Sequence, residues 1–305
     1  MVLCCHNSVS RIEKTLQHLS AQRNAKGHPR ELLVVDNASS DGTTEYVRAT
    51  WEKLGNPFPL RLLEESKLGH AFARKTGVLA SSFDFGVFCD DDNWLEEDYL
   101  DKALELLAGN PDAGAFGGDS IPVSEVPLPA WFYNHAGSFA VGSQANEEGD
   151  VTHRGYLWGA GMACRFDVLR KIYRAELAHQ AAGRTGSRLS SGDDFELCLW
   201  IISAGYGLEY SKRLRLQHFM PHSRLTDDYF ERFILTPDLE GASDVYHFFS
   251  WFFRLKLIIR SQSQSLSLPV VAGSFKSLFW LLQHPKSLFV SLRNRYRIKQ
   301  VTTPL

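Results

Sequence analysis

GVFCDDDNWL, residues 86–95, joins a short apolar run to three consecutive aspartates. Val87-Phe88-Cys89 reads as a strand buried on both faces, and it stops abruptly at Asp90-Asp91-Asp92. Adjacent carboxylates repel one another, so the cluster is costly unless a cation meets it. Mg²⁺ and Mn²⁺ take hard oxygen ligands, often one or two carboxylates together with substrate phosphates. The competing reading is a solvated acidic turn ahead of the helix that starts near Asp98.

Working outward, residues 2–5, 31–35, 60–63 and 113–117 are further short apolar runs, and the second ends at Asp36. Helical spacing fills the intervals. Ile12, Leu16 and Leu19 recur on one face behind a cap at Ser8 or Ser10, and helices are expected over about 43–54, 70–81 and 98–107. This alternation predicts an α/β fold, a largely parallel sheet with helices on both faces. Ligands of such sheets bind at the carboxyl ends of the strands. His6, with Asn7 beside it, Asp36 and the 90–92 cluster all fall at such ends.

The middle of the chain is less regular. Pro122, Pro127 and Pro129 are expected to break residues 120–130. YLWGAGMACR, residues 156–165, reads as a strand or a tight glycine loop leading into a helix from Phe166. Residues 184–192 are Gly- and Ser-rich, a mobile loop by composition, ahead of Asp193-Asp194 and a helix over 195–204. Beyond about Tyr229, residues 245–259 and 274–299 interleave Phe, Trp and Leu with Arg and Lys, as amphipathic helices do.

A net charge of −2 over 305 residues argues against nucleic-acid binding through a uniformly basic surface. Cys4, Cys5, Cys89, Cys164 and Cys198 show no CxxC spacing and sit mostly in apolar runs, as reduced core residues of a cytosolic protein do. The chain opens in an apolar run without a basic region or an adequate h-region, so no signal peptide is expected. No uncharged stretch reaches the roughly 18–20 residues of a membrane span.

The ordered set VLCCHN (2–7), VVDNASSDGT (34–43), LGHAFARKTG (68–77), FCDDDNWL (88–95), WGAGMACR (158–165) and SGDDFELCLWIISAGY (191–206) resembles glycosyltransferase family 2, whose members have a GT-A fold. The resemblance covers about residues 1–225. It implies a nucleotide-sugar half over 1–118, an acceptor half over 119–225 and a C-terminal helical extension over 226–305. It also implies an inverting enzyme that moves a sugar from a nucleotide-sugar, UDP-linked by preference, to an acceptor hydroxyl. The setting it suggests is surface polysaccharide or glycolipid assembly, in the cytoplasm or at the inner face of the plasma membrane. The QxxRW pattern of processive synthases is absent, which argues for one sugar, or a few, per encounter.

Roles follow position by position. The resemblance implies that Asp36 reads the nucleobase, although a carboxylate there also suits capping of the next loop. Asp92 binds Mn²⁺ or Mg²⁺, and Asp90 faces the ribose or a metal-bound water. The resemblance also counts Asp91 among the nucleotide-binding residues, although alternation along a strand is a reason for it to point the other way. His218 completes the metal site, a role that suits His222 less. Arg74 lies near the phosphates or ribose, and Gly69 permits close backbone approach. His6 and Asn7 contact the nucleotide, and Trp158 stands beside donor sugar or acceptor. Asp194 is the general base, supported by Asp193 and Glu196. The family usually carries Glu at 193 and often Asp at 93, where this chain has Asp and Asn.

Two other functions compete. A nucleotidyltransferase should carry a glycine-rich phosphate loop near the first strand, whereas CCHNSVSR (4–11) holds no glycine. A non-catalytic nucleotide-sugar or partner-binding module has no need of the intact acidic pair. Compatible partners are a saccharide or lipid-linked saccharide acceptor, an anionic membrane surface met through 275–299, and a second copy of the chain.

Overall fold

Four of the apolar runs lie side by side in parallel. They are β1 (Val2–Cys5), β2 (Leu32–Asp36), β3 (Leu60–Glu64) and β4 (Phe85–Asp90), ordered β3-β2-β1-β4. The structure is a computed structural model, and it describes residues 1–175, 192–235, 277, 282 and 285–302. Cys5 stands opposite Asp36 and Cys4 opposite Asp90, so the polar strand ends share one edge of the sheet.

These strands read as unbroken apolar runs because helices cover both faces. Alternate residues serve opposite cores. Val2, Cys4, Leu33, Val35 and Phe88 pack with α3 (His70–Ala80), α6 (Phe166–Arg174) and α7 (Asp193–Ser203). Leu3, Cys5, Leu32, Val34, Val87 and Cys89 pack with α1 (Ile12–Ser20), α2 (Thr43–Lys53) and α4 (Tyr99–Gly109). All five cysteines are free and buried.

The rest of the sheet is mixed. β8 (Ala163–Arg165) runs antiparallel between β4 and β6 (Ala113–Ser124), and β9 (Gly207–Met220) is parallel to β6. β5 (Asn93–Leu95) and β7 (Gly149–Asp150) add to β9 in the antiparallel sense. The short helices α5 (Ala130–His135) and α8 (Asp227–Phe230) meet through the rings of Trp131 and Phe230, and α9 (Pro285–Thr302) contacts α6 and α7.

Two local expectations need correction. Pro122 does not break the chain, because β6 runs through it to Ser124. Ser120 directs both its N–H and its carbonyl at Gly142, away from β9. Pro122, two residues on, shares that orientation, so its missing N–H costs no bond to β9. Nor does Ser8 or Ser10 cap α1, which has no side-chain cap. The Ser8 hydroxyl is spent on Asp91 instead.

Between Tyr210 and Arg215, β9 makes an excursion while β6 advances only from Gly117 to Asp119. A Cβ on the intervening Gly118 would lie 2.1 Å from the Leu214 carbonyl oxygen, which is backbone and cannot swing aside. Gly118→Ala is expected to cost about 3 kcal/mol. The measurement is urea unfolding, with a lowered midpoint at unchanged slope. This register carries the second half of β9, and with it His218, to the cleft.

The 184–191 loop, the 245–259 segment and most of 274–284 lie outside the described residues. Among the described residues, no helix is long and apolar enough to cross a membrane.

Candidate active site

The three aspartates each find a cation, and each cation comes from a different element. Asp90 Oδ1 lies 2.9 Å from Nε2 of His70, the first residue of α3. Asp91 accepts from Nε of Arg11 at 2.9 Å and from its Nη2 at 2.6 Å, with the Ser8 hydroxyl on the same carboxylate. Asp92 Oδ2 meets Nη1 of Arg224 at 2.8 Å, and its Oδ1 meets Nε2 of His218 at 3.3 Å. The like-charge repulsion of the triplet is therefore answered by the protein's own side chains. Asp91 is corrected from a nucleotide contact to an anchor, since both its oxygens are bound by the turn that leads into α1.

His70 also reaches Asp193, with Nδ1 3.0 Å from Oδ2. Carboxylates on both ring nitrogens call for a doubly protonated imidazole. Burial and the nearby Arg74 charge push its pKa down, but Asp90 and Asp193 outweigh them and hold it well above the usual histidine range. The sequence reading missed His70. The signal was its place four residues before Arg74, which puts both on one helix face.

Arg74 departs from expectation. Its side chain is 2% exposed, and Nη1 bonds Asp194 at 2.6 Å and Asp193 at 3.2 Å. A buried guanidinium needs carboxylates, and Arg74 takes the acidic pair at the cleft wall. Its Nη2 is packed on Gly159, where a Cβ would fall 1.9 Å away. The Gly159 N–H in turn donates to Asp194 Oδ2 at 2.7 Å.

The acidic pair is thereby driven apart electrostatically. For Asp193, burial is overcome by Arg74 and His70, and its pKa falls well below the carboxylate range. For Asp194, burial and the neighbouring Asp193 outweigh Arg74 and raise it. One member is a fixed anion and the other is poised to take a proton, which is how paired carboxylates divide acid–base work. Glu196 turns away, with Oε1 accepting from Trp200 Nε1 at 3.2 Å.

These groups line one cleft of about 1590 Å³. At its first-strand end, His6 Nδ1 is 2.7 Å from the Asn37 carbonyl, and Asn7 is held in a left-handed conformation by Ser39 and Ser40. Asp36 accepts from the Ser39 N–H at 3.0 Å and from Thr44 Oγ1 at 2.8 Å, the bonds of a loop cap. The lining residue here is Asn37, whose Oδ1 receives the Gly69 N–H at 2.8 Å. Gly69 has φ +138°, a conformation that favours glycine. Opposite, Trp158 lines the wall beneath the Arg154 guanidinium, which lies 5.3 Å from its ring and 4.3 Å from that of Tyr156. Phe139, Tyr229 and Phe233 make the remaining wall apolar. His222 is exposed.

Asp92 and His218 offer an oxygen and an imidazole donor side by side, because Asn93 pairs with His218 in the β5–β9 ladder. Nδ1 of His218 is buried with no hydrogen-bond partner. This donor set fits Mn²⁺ or Mg²⁺, with the imidazole favouring Mn²⁺. His70, Asp193 and Asp194 also bring ligand atoms within 4.8 Å of one another. There the Arg74 guanidinium already sits on both carboxylates, so a second cation fits poorly.

The solved structures of TarS from S. aureus in complex with UDP match at a TM-score of 0.53 and 15% identity, over 99% of this chain and 89% of that one. The mannosyltransferase PcManGT from Pyrobaculum calidifontis, solved with GDP-Man and Mn²⁺, matches at 0.51 and 20% identity, over 100% of this chain and 75% of that one. These likenesses establish a shared GT-A fold. A glucosyl-dolichyl phosphate glucuronosyltransferase of Haloferax volcanii is 24% identical over 226 residues, 71% of this chain and 68% of that protein. Glycosyltransferase AglE of the same organism is 31% identical over 110 residues, so the chain matches 35% of its length. The profile of the family described as glycosyl transferase family 2 matches residues 1–173, more than half of the chain, and the protein belongs to that family.

Proposed function

We propose that this protein is an inverting, divalent-metal-dependent glycosyltransferase that moves a sugar from a UDP-linked donor to an acceptor hydroxyl. The observation that carries the reading is the split acidic pair on the cleft that also holds Asp92 and His218. The nucleotide lies along the strand ends by His6, Asn7, Asn37 and the Asp36 loop. Asp90, held by His70, faces the ribose. Asp92 and His218 would hold the divalent ion, which would supply positive charge to offset that of the diphosphate leaving group. Asp194 takes the proton of the attacking hydroxyl, and Arg74 and Gly159 orient its carboxylate. Attack comes from the face opposite the leaving group, so the anomeric configuration inverts.

The Haloferax relative acts on a dolichyl phosphate-linked sugar by its name. That, with the apolar cleft wall, supports a lipid-linked saccharide acceptor in glycolipid or surface-polysaccharide assembly. α9 presents Phe289, Leu292 and Tyr296 to solvent, which supports the peripheral membrane contact read from residues 275–299 and a working place on the cytoplasmic face.

The test is UDP release from a panel of UDP-sugars with Mn²⁺. Turnover with one donor that drops at least about a hundredfold in Asp92→Ala is expected. Turnover by Asp92→Ala equal to wild type removes that residue from the metal site. A protein that releases no nucleotide from any donor yet binds UDP is a binding module instead.

A further inference from the structure

We propose that Arg224 is the resident counter-ion of Asp92, displaced when the divalent cation binds and then transferred to the donor diphosphate. The inference rests on the reading of Asp92 as metal ligand.

The argument starts from burial. The Asp92 side chain is 3% exposed and that of Arg224 18%, so the carboxylate has little water to screen it and needs a positive partner. Arg224 supplies that partner at Oδ2, while His218 and Asn93 both address Oδ1. A divalent ion on this carboxylate therefore meets a cation already in place. An ion and a guanidinium on the same few ångströms repel one another.

Of the arginines paired with the cleft aspartates, Arg11, Arg74 and Arg224, the last is the one free to leave. Arg11 is tied to the His6 and Asn7 carbonyls as well as to Asp91. Arg74 is locked between Asp193 and Asp194. Among the described residues, the Arg224 side chain is ion-paired to Asp92 alone. It stands on the short turn His222–Arg224, after β9 has ended, so its movement breaks no sheet pairing. That turn leads into the chain bearing Tyr229, Phe233 and Ile234, which lines the same cleft. Once displaced, the guanidinium faces the space where a diphosphate beside Asp92 must lie. Its planar fork suits phosphate oxygens.

The exchange is tested by binding, without turnover. Mn²⁺ alone is titrated into wild type, Arg224→Gln and Asp92→Asn, with free Mn²⁺ read by electron paramagnetic resonance. Arg224→Gln is expected to bind Mn²⁺ about tenfold more tightly than wild type, and Asp92→Asn to lose that binding. At saturating Mn²⁺, UDP is expected to bind Arg224→Gln about tenfold more weakly. Equal, Asp92-dependent Mn²⁺ affinity in wild type and Arg224→Gln overturns the exchange and leaves the metal site standing. Mn²⁺ binding that ignores Asp92 overturns both. Unchanged UDP affinity overturns the transfer to the diphosphate. A second measurement needs only wild type, with Arg224→Lys to assign the peak. On addition of Mg²⁺ the Arg224 Nε–H resonance is expected to shift while those of Arg11 and Arg74 stay. A stationary Arg224 resonance under Mg²⁺ binding overturns the proposal.

Discussion

Replacing Asp194 with asparagine is expected to lower kcat for sugar transfer about a thousandfold while leaving UDP affinity within about twofold of wild type. Asparagine keeps an oxygen for Arg74 or Gly159, so the cleft holds its shape, but it accepts no proton from the acceptor. Loss of kcat without loss of donor binding is the signature of a group that acts in the transition state. The pH profile gives the sign independently. A base works only when ionised, and burial with the neighbouring Asp193 raises the Asp194 pKa. The acid limb of kcat should therefore lie above the ordinary aspartate value of about 3.9 and disappear in the variant. Wild-type kcat in Asp194→Asn removes that residue from the role of base.

Arg74→Met is the substitution with the largest expected effect on stability, a loss of about 4 kcal/mol in denaturant unfolding. Methionine fills similar space over the Phe88 ring, 5.2 Å from the guanidinium carbon. It leaves the buried Asp193 without its main counter-charge. Asp194 is a third exposed and should contribute less. Adding Asp193→Asn to Arg74→Met should return part of the loss, because the uncompensated anion is gone. The pair also sets a pH dependence. The folded pKa of Asp193 is depressed, so its contribution is complete above the unfolded value of about 3.9 and fades as pH falls through the folded one. Arg74→Met should lose that fading. Additive losses in the double variant would mean that the two residues do not interact.

Much of the architecture is legible in one dimension. β1 to β4 are short apolar runs without alternation, because both faces of a parallel sheet are covered, and this pattern survives in sequence. The helices between them announce themselves by spacing, as Ile12, Leu16 and Leu19 do. The strand-end positions of His6, Asp36 and the 90–92 cluster follow from those two periods. β5 and the long β9 were harder to see. Asn93-Trp94-Leu95 is too short to carry a period, and β9 alternates charged residues with leucines over a stretch that bends around Gly118.

Side-chain partnership is the part that had no local signature. Residue types at 90, 91 and 92 are identical, and yet His70, Arg11 and Arg224 claim one each. Those cations lie 20, 80 and 132 positions away in the chain (the last being 224 − 92). Nor did the string distinguish Asp193 from Asp194; Arg74 and His70, both on α3, hold the first down against its burial, while burial and the neighbouring Asp193 raise the second. Hydrophobic periodicity is written between neighbours because burial of a face is a property of one helix or strand. A charge takes its character from whichever opposite charge folding brings within a few ångströms, and that distance exists only once the chain is packed.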